Sequence, residues 1–200
     1  RQFGAGWDAY NWRWSTNEHE PARHFAAPLW KGEPLDNKTL LIWGEQAVGD
    51  ELMFSTIYSD FAGIVAEVYI ETEFRLQPLL QRSFPDFRVF SRRNPPDKEL
   101  TTKTFDYQIA AGDIGRYRRR AVSDFPVSRP SLKADQNRTE YLRGRYLALA
   151  NGRRLVGVSW QSNSEQAGVP RSVPLEALRP LLQSSKALFV NLQYGEITND

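Results

Sequence analysis

Four stretches of this chain place polar or glycine-rich residues directly after an apolar run, where reactive groups can meet a ligand. In open parallel α/β sheets, ligands sit outside the carboxyl ends of strands, at the point where strand order reverses. The first stretch is Gly44-Glu45-Gln46-Ala47-Val48-Gly49-Asp50. Its two glycines let backbone N–H groups approach a ligand closely, and the helix start that follows favours an anion or developing negative charge. It is not a P-loop, because Asp50-Glu51 stands where Lys-Ser or Lys-Thr would grip phosphate. Nor does it fit G-x-G-x-x-G. Asp50 has two readings that do not exclude each other. It caps the following helix, a contribution of about 1 kcal/mol, or it accepts the proton of a substrate hydroxyl.

The second stretch, Ala110-Ala111-Gly112-Asp113-Ile114-Gly115-Arg116, again puts Asp before a short helix, with Arg118, Arg119 and Arg120 after it. That arginine run is either a solvated face or an anion-binding rim. In the third, Ser159-Trp160-Gln161-Ser162-Asn163-Ser164 leads on to Arg171-Ser172-Val173-Pro174-Leu175. Hydroxyls, amides and a guanidinium at a strand end suit a diphosphate; alternatively Ser172 caps a helix and Arg171 faces solvent. The fourth, Asn191-Leu192-Gln193-Tyr194-Gly195-Glu196, is polar and carries no assigned role.

Alternating elements must hold these loops. Residues 39–43 form a short continuous apolar run, as expected of a strand buried on both faces of a parallel sheet. Residues 50–65 have helical spacing, 66–71 read as a strand, 73–84 as a helix carrying Phe74, Leu76, Leu79 and Leu80, and 87–91 and 105–110 as further strands. Residues 139–150 read as a helix with Leu142, Tyr146, Leu147 and Leu149 or Ala150 inward. After Asn151-Gly152 the pattern restarts: strand 155–160, helix 175–183, strand 187–192. This alternation predicts right-handed βαβ units in a doubly wound sheet, then the start of a second α/β lobe. At the N-terminus, Trp7, Tyr10 and Trp14 fall on one helical face, which packs on this chain or belongs to the last helix of a preceding array.

Composition narrows the function classes. An apolar fraction of 40% can build a core, and 25% charged residues with a net charge of +2 speak against a dedicated nucleic-acid binder. Arg outnumbers Lys 20 to 6; bidentate anion contacts and a GC-rich genome both produce that bias. With no cysteine, disulfides, thiolate metal sites and cysteine nucleophiles are excluded. His19 and His24 have no partner at metal-ligand spacing, so no metal site is expected. No apolar run reaches the roughly 18–20 residues needed to span a bilayer. The chain opens on Arg1-Gln2-Phe3-Gly4 with neither Met nor a signal-peptide core, which suggests a piece of a longer cytoplasmic protein.

Taken in order, these motifs resemble a known family. The run from Trp30-x-Gly32-Glu33-Pro34-Leu35 to Glu45-Gln46-x-x-Gly49-Asp50-Glu51-Leu52-Met53-Phe54 resembles the start of the glycosyltransferase-like region of bacterial tetratricopeptide-repeat proteins, which is similar to the lipopolysaccharide heptosyltransferases. Asp106-Tyr107-Gln108-Ile109-Ala110-x-Gly112-Asp113, Val156-Gly157-Val158-Ser159-Trp160, Arg171-Ser172-x-Pro174-Leu175 and Asn191-Leu192-Gln193-Tyr194-Gly195 agree in the same order. Gly6-Trp7-x-x-Tyr10-x-Trp12-Arg13 resembles the helix that closes the repeat array.

The resemblance implies a GT-B fold of two Rossmann-like lobes. It divides the chain into a closing repeat helix and linker (1–27), a first lobe (28–135), a linker helix (136–153) and a partial second lobe (154–200). It implies inverting transfer of a sugar from a nucleotide-sugar donor to an acceptor hydroxyl of a glycan or protein, without metal or other cofactor. Asp50 would be the catalytic base; Glu45, Gln46, Gly49, Gly112 and Asp113 would line the acceptor side; Ser159, Gln161, Asn163, Arg171 and Ser172 would receive the donor. The preceding repeats would hold a protein partner. Two departures bear on activity. Ala47 stands where the family pattern has Gly, and the chain stops before the Asp-Thr-Ala-x-x-His-Leu-Ala-Gly-like run that flanks the nucleotide, so poor turnover is expected of this piece. The alternative is a degenerate, non-catalytic binding module attached to a repeat array.

Overall fold

The computed structural model describes residues 2–16, 22–126, 132–162, 171–184 and 186–193. The chain divides into two compact units, Arg1–Asp135 and Gln136–Asp200. The first opens with helix α1 (Phe3–Tyr10) and a 3-10 turn, Asn11–Ser15. There follow β1 (Thr39–Trp43), α2 (Val48–Ser55), β2 (Glu67–Thr72), α3 (Gln77–Ser83), β3 (Arg88–Ser91), α4 (Lys98–Thr102), β4 (Tyr107–Ala110) and α5 (Ile114–Arg118). The second contains α6 (Gln136–Ala150), β5 (Arg154–Val158), α7 (Arg179–Leu182) and β6 (Ala187–Asn191).

Strands β1 to β4 make one parallel sheet in the order β3-β2-β1-β4. The predicted Rossmann-like α/β architecture is what forms. Strand β1 pairs with β2 through Leu40 opposite Val68 and with β4 through Leu40 opposite Tyr107. The chain steps outward from β1 to β3 and then returns to the other side of β1. The order therefore reverses between β1 and β4, and the loops leaving these two strands face the same crevice.

Burial explains why β1 reads as an unbroken apolar run. Leu40, Leu41 and Ile42 have no solvent exposure. Leu40 and Ile42 join Phe54, Phe61, Val68, Ile70, Leu80 and Ile114 in the larger core, whereas Leu41 turns to the opposite face with Tyr69, Leu100 and Phe105. Alternation along the strand thus feeds two layers. The lead-in segment covers the edge of β4: Gln108 N–H donates to Pro28 O and Trp30 N–H to Gln108 O, at 2.9 and 2.8 Å.

Several helices differ from the sequence expectation. Residues 50–65 do not form one helix; α2 ends at Ser55, a 3-10 turn occupies Tyr58–Phe61, and Gly63 takes a positive φ of 76°. The helix expected over 73–84 starts only at Gln77, with Pro78 in its first turn, so Phe74 lies ahead of it and is exposed. Over 175–183 a 3-10 turn, Leu175–Leu178, precedes the short α7, which carries Pro180 near its start. Helix α4 was not predicted; Asp97 caps it, accepting Glu99 N–H at 2.9 Å. In α6 the expected inward leucines are largely outward: Ala150 is the one buried residue among those described.

The second unit pairs β5 with β6 in parallel, Val156 opposite Phe189. Every described residue of these strands keeps some solvent exposure.

Candidate functional site

The crevice between β1 and β4 is filled from within the same unit. Arg13, in the turn after α1, enters it with its side chain 3% exposed. Its Nε and Nη2 donate to the two oxygens of Glu45 at 2.8 and 2.6 Å, and Nη2 also donates to Asp113 Oδ1 at 2.8 Å. The Tyr10 and Trp14 rings cover the guanidinium at 4.2 and 4.3 Å. The indole N–H of Trp14 reaches Asp113 Oδ2 at 3.2 Å, and its ring packs on Trp43 at 5.5 Å. Burial by itself would lower the Arg13 pKa, but the hydrogen bonds and charges of Glu45 and Asp113 outweigh it and raise it. Burial raises the Tyr10 pKa, too.

Of the predicted acceptor-side residues, Glu45, Gln46, Gly112 and Asp113 are therefore already engaged among the described residues, and Gly49 is not. Glu45 Oε1 accepts the Gly112 N–H at 2.9 Å as well as Arg13, so one carboxylate ties the loop after β1 to the loop after β4. Gly112 permits this, since a Cβ there would lie 2.5 Å from Glu45 Oε1. The Gln46 amide donates to the Tyr10 hydroxyl. Asp113 occupies the position before α5 but makes no capping bond, because its oxygens go to Arg13 and Trp14. The arginine run divides between a partly solvated, ion-paired surface and the interior. Arg116 and Arg120 pair with Asp8, Arg119 is buried against Asp60, and Arg118 lies over Trp30 and Phe61 at 5.3 and 5.4 Å.

Asp50 is placed differently. The residue capping α2 is Ala47, and Asp50 is the third helical residue, not the cap. Its Oδ2 accepts the Ala47 N–H at 3.3 Å, the returning arm of a capping box whose other arm an alanine cannot supply. A carboxylate in a first turn also complements the helix dipole. Asp50 is half-buried and Gly49 beside it is exposed. Ala at 47 introduces no strain of its own: Ala47 is extended at φ −99°, and the left-handed residue is Gln46 at 62°.

A second buried cluster, absent from the sequence reading, lies behind this loop. Glu51 has no exposure, accepts Thr72 Oγ1 and the Glu73 N–H (3.1 Å), and pairs with Arg92 at 3.3 Å. Arg92 also donates to Gly44 O at 3.1 Å. Glu71, equally buried, accepts Arg23 Nε at 2.7 Å. Burial pushes both carboxyls above their ordinary range, against the pull of Thr72 on Glu51 and of Arg23 on Glu71. Gly44 cannot be substituted freely, since a Cβ there would fall 2.6 Å from Glu51 Oε1.

In the second unit, Ser159 and Gln161 come together with Gln193. Its amide oxygen accepts Ser159 Oγ, Trp160 N–H and Gln161 N–H at 3.2, 3.1 and 2.9 Å. Ser172 Oγ accepts the Ser162 N–H at 3.0 Å instead of serving as a helix cap. Arg171 is exposed, next to Ser172 in the chain. Asn163 and the 194–196 part of the fourth stretch lie outside the described residues. Among the described residues no group of three or more His, Asp or Glu could hold a metal ion, and no helix is long and apolar enough to cross a membrane.

Sequence reasoning gave no role to Arg13, Glu51 or Gln193, which it met within motifs, and did not single out Arg23, Glu71 or Arg92. One local signal existed for Arg13: an arginine between Trp12 and Trp14, three residues after Tyr10, is flanked by faces that can sandwich it. Its partners are 32 and 100 residues away.

No family model matches the chain, and no solved structure matches it. It is similar to Protein FlbA of Caulobacter vibrioides, with 31% identity over 212 aligned residues. That alignment takes in 98% of this chain and 35% of FlbA, so the chain spans about a third of that relative's length.

Proposed function

We propose that the chain supplies the acceptor-side lobe, and the start of the donor-side lobe, of a cytoplasmic, repeat-associated glycosyltransferase that inverts the anomeric centre. The observation supporting this is the contrast among the carboxylates at the switch point. Glu45 and Asp113 are held by Arg13, whereas Asp50 is half-buried at the start of α2 and, among the described residues, accepts a hydrogen bond from the Ala47 N–H just ahead of its own helix. In this reading Asp50 takes the proton of the acceptor hydroxyl as that oxygen attacks the anomeric carbon. The bond from that carbon to the donor phosphate breaks, and the nucleotide leaves with the electron pair. Ser159, Gln161, Asn163, Arg171 and Ser172 would receive the diphosphate on the donor side.

The test gives full-length protein candidate sugar nucleotides and compares Asp50→Asn with wild type. Loss of a general base is expected to lower turnover by about 10²–10⁴-fold. Unchanged turnover would remove Asp50 from the role. A second reading, a non-catalytic binding module, draws on the crevice being filled by Arg13 and Trp14. It expects no sugar nucleotide to bind the full-length protein in calorimetry, and measurable binding would rule it out. The alanine at 47 no longer supports it, because that position needs no positive φ.

A further inference from the structure

We propose that the crevice between β1 and β4 is a guanidinium cradle rather than a substrate pocket. Arg13 is the positioning residue that holds the 44–50 loop in the conformation presenting Asp50. The part of this inference that concerns Asp50 rests on the glycosyl-transfer reading; the cradle itself does not.

The cradle fits a planar fork and no simpler cation. Each nitrogen of Arg13 has a role: Nε and Nη2 on the two Glu45 oxygens, Nη2 also on Asp113, and Nη1 on Tyr10 O at 3.2 Å. Two rings close its faces. A lysine ammonium could meet one carboxylate oxygen but could neither span both nor stack flat between rings.

The coupling to the loop runs through two consecutive residues. Glu45 is fixed by Arg13 on one side and by the Gly112 N–H on the other. Gln46, next in the chain, holds a left-handed backbone while its amide is tied to the Tyr10 hydroxyl. From there Ala47 is extended and α2 begins, so residues 45 and 46 fix the approach to the first turn and to Asp50, while Glu51 and Phe54 fix the buried side of the helix. Helix α1 has anchors of its own. The Trp7 indole N–H donates to Arg119 O at 2.9 Å, and Asp8 pairs with Arg116 and Arg120 at 3.0 Å. Removing the guanidinium should therefore free the loop without releasing the helix.

The experiment is hydrogen exchange by mass spectrometry on the full-length protein, comparing wild type, Arg13→Ala, Arg13→Lys and Gln46→Ala. In Arg13→Ala, amides of 44–50 and 111–114 should exchange roughly tenfold faster or more, while β1 and β2 keep their protection. Millimolar methylguanidinium should restore that protection, and tetramethylammonium at the same concentration should not. Arg13→Lys should stay as unprotected as Arg13→Ala, and Gln46→Ala should fall between wild type and Arg13→Ala. If Arg13→Ala does not fold, Arg13→Lys carries the test. Loop exchange unchanged from wild type, acceleration shared equally by β1 and β2, or rescue by both cations alike would overturn the proposal. If the exchange pattern holds while Asp50→Asn turns over normally, the cradle stands and only the catalytic reading fails.

Discussion

The two parallel sheets of this chain begin from similar sequence, a short apolar run followed by a polar loop, and end in different states. In the first unit, β1 lies between β2 and β4 with side chains feeding cores on both faces, and its central residues are fully excluded from solvent. In the second, β5 and β6 stand as a pair, and Leu147, Leu149, Leu181 and Leu192 are each about half exposed. A parallel strand is stabilised by the layers that cover it, not by its own residues alone. The difference also separates the candidate sites. The loop after β1 is held by a buried ion pair, whereas the loop after β5 is held by uncharged hydrogen bonds, from the Gln193 amide, Ser172 and the Val173 N–H.

The largest expected effect probes the better-covered sheet. Ile42→Ala removes a fully buried side chain packed between elements and should cost about 4 kcal/mol in urea unfolding. A cost below about 1 kcal/mol would show that the first sheet is no better packed than the second. Next, Gly115→Ala would push a methyl into the Trp7 indole, which lies against Gly115. Overpacking of that kind should cost about 2 kcal/mol, with increased exchange in α1 as the local signature; a neutral outcome would mean that α1 is not fastened where the structure puts it. In the second unit, Val156→Ala should cost about 1 kcal/mol or less, because the side chain is only half-buried. A loss as large as that of Ile42→Ala would erase the contrast.

The smallest effect at any single pH should be the most specific. Burial raises the folded-state pKa of Glu51. The folded protein then binds more protons than the unfolded chain from about pH 4.3, the ordinary Glu value, up to that raised pKa. By linkage, the contribution of Glu51 to stability is fullest below that window and declines as pH rises through it. Glu51→Gln should flatten this decline in unfolding curves measured from acid to neutral pH. A variant with the wild-type slope, or a wild type gaining stability from Glu51 as pH rises, would contradict the assignment.

Much of the fold could be read from local pattern. The bounds of β1, the alternation of strands and helices, and a polar, glycine-containing loop after β1 all follow from apolar runs and glycine spacing. Helix starts were harder to read, because Asp is favoured both as a cap and in the first turn; Asp50 proved to be the latter. The inward face expected of α6 forms only in part, with Ala150 buried, Leu142 and Tyr146 half-buried and Leu147 exposed, because periodicity shows which residues share a face, not whether anything covers it. At the site, the residues of the loops were legible but their partners were not. Arg13 meets Glu45 and Asp113 only because the sheet brings distant segments to one crevice, and no spacing rule records such a meeting. Glu51 and Glu71 look like ordinary helix and strand charges until burial forces each to find an arginine.

In the proposed transfer, Asp50 is the carboxylate that takes the acceptor's proton. The most direct test is single-turnover sugar transfer by the full-length protein, wild type against Asp50→Asn, with unfolding curves confirming equal stability. A fall in rate of about 100-fold or more is expected. A variant that transfers sugar within about twofold of wild type, against the effect a general base should have, would contradict that role for Asp50.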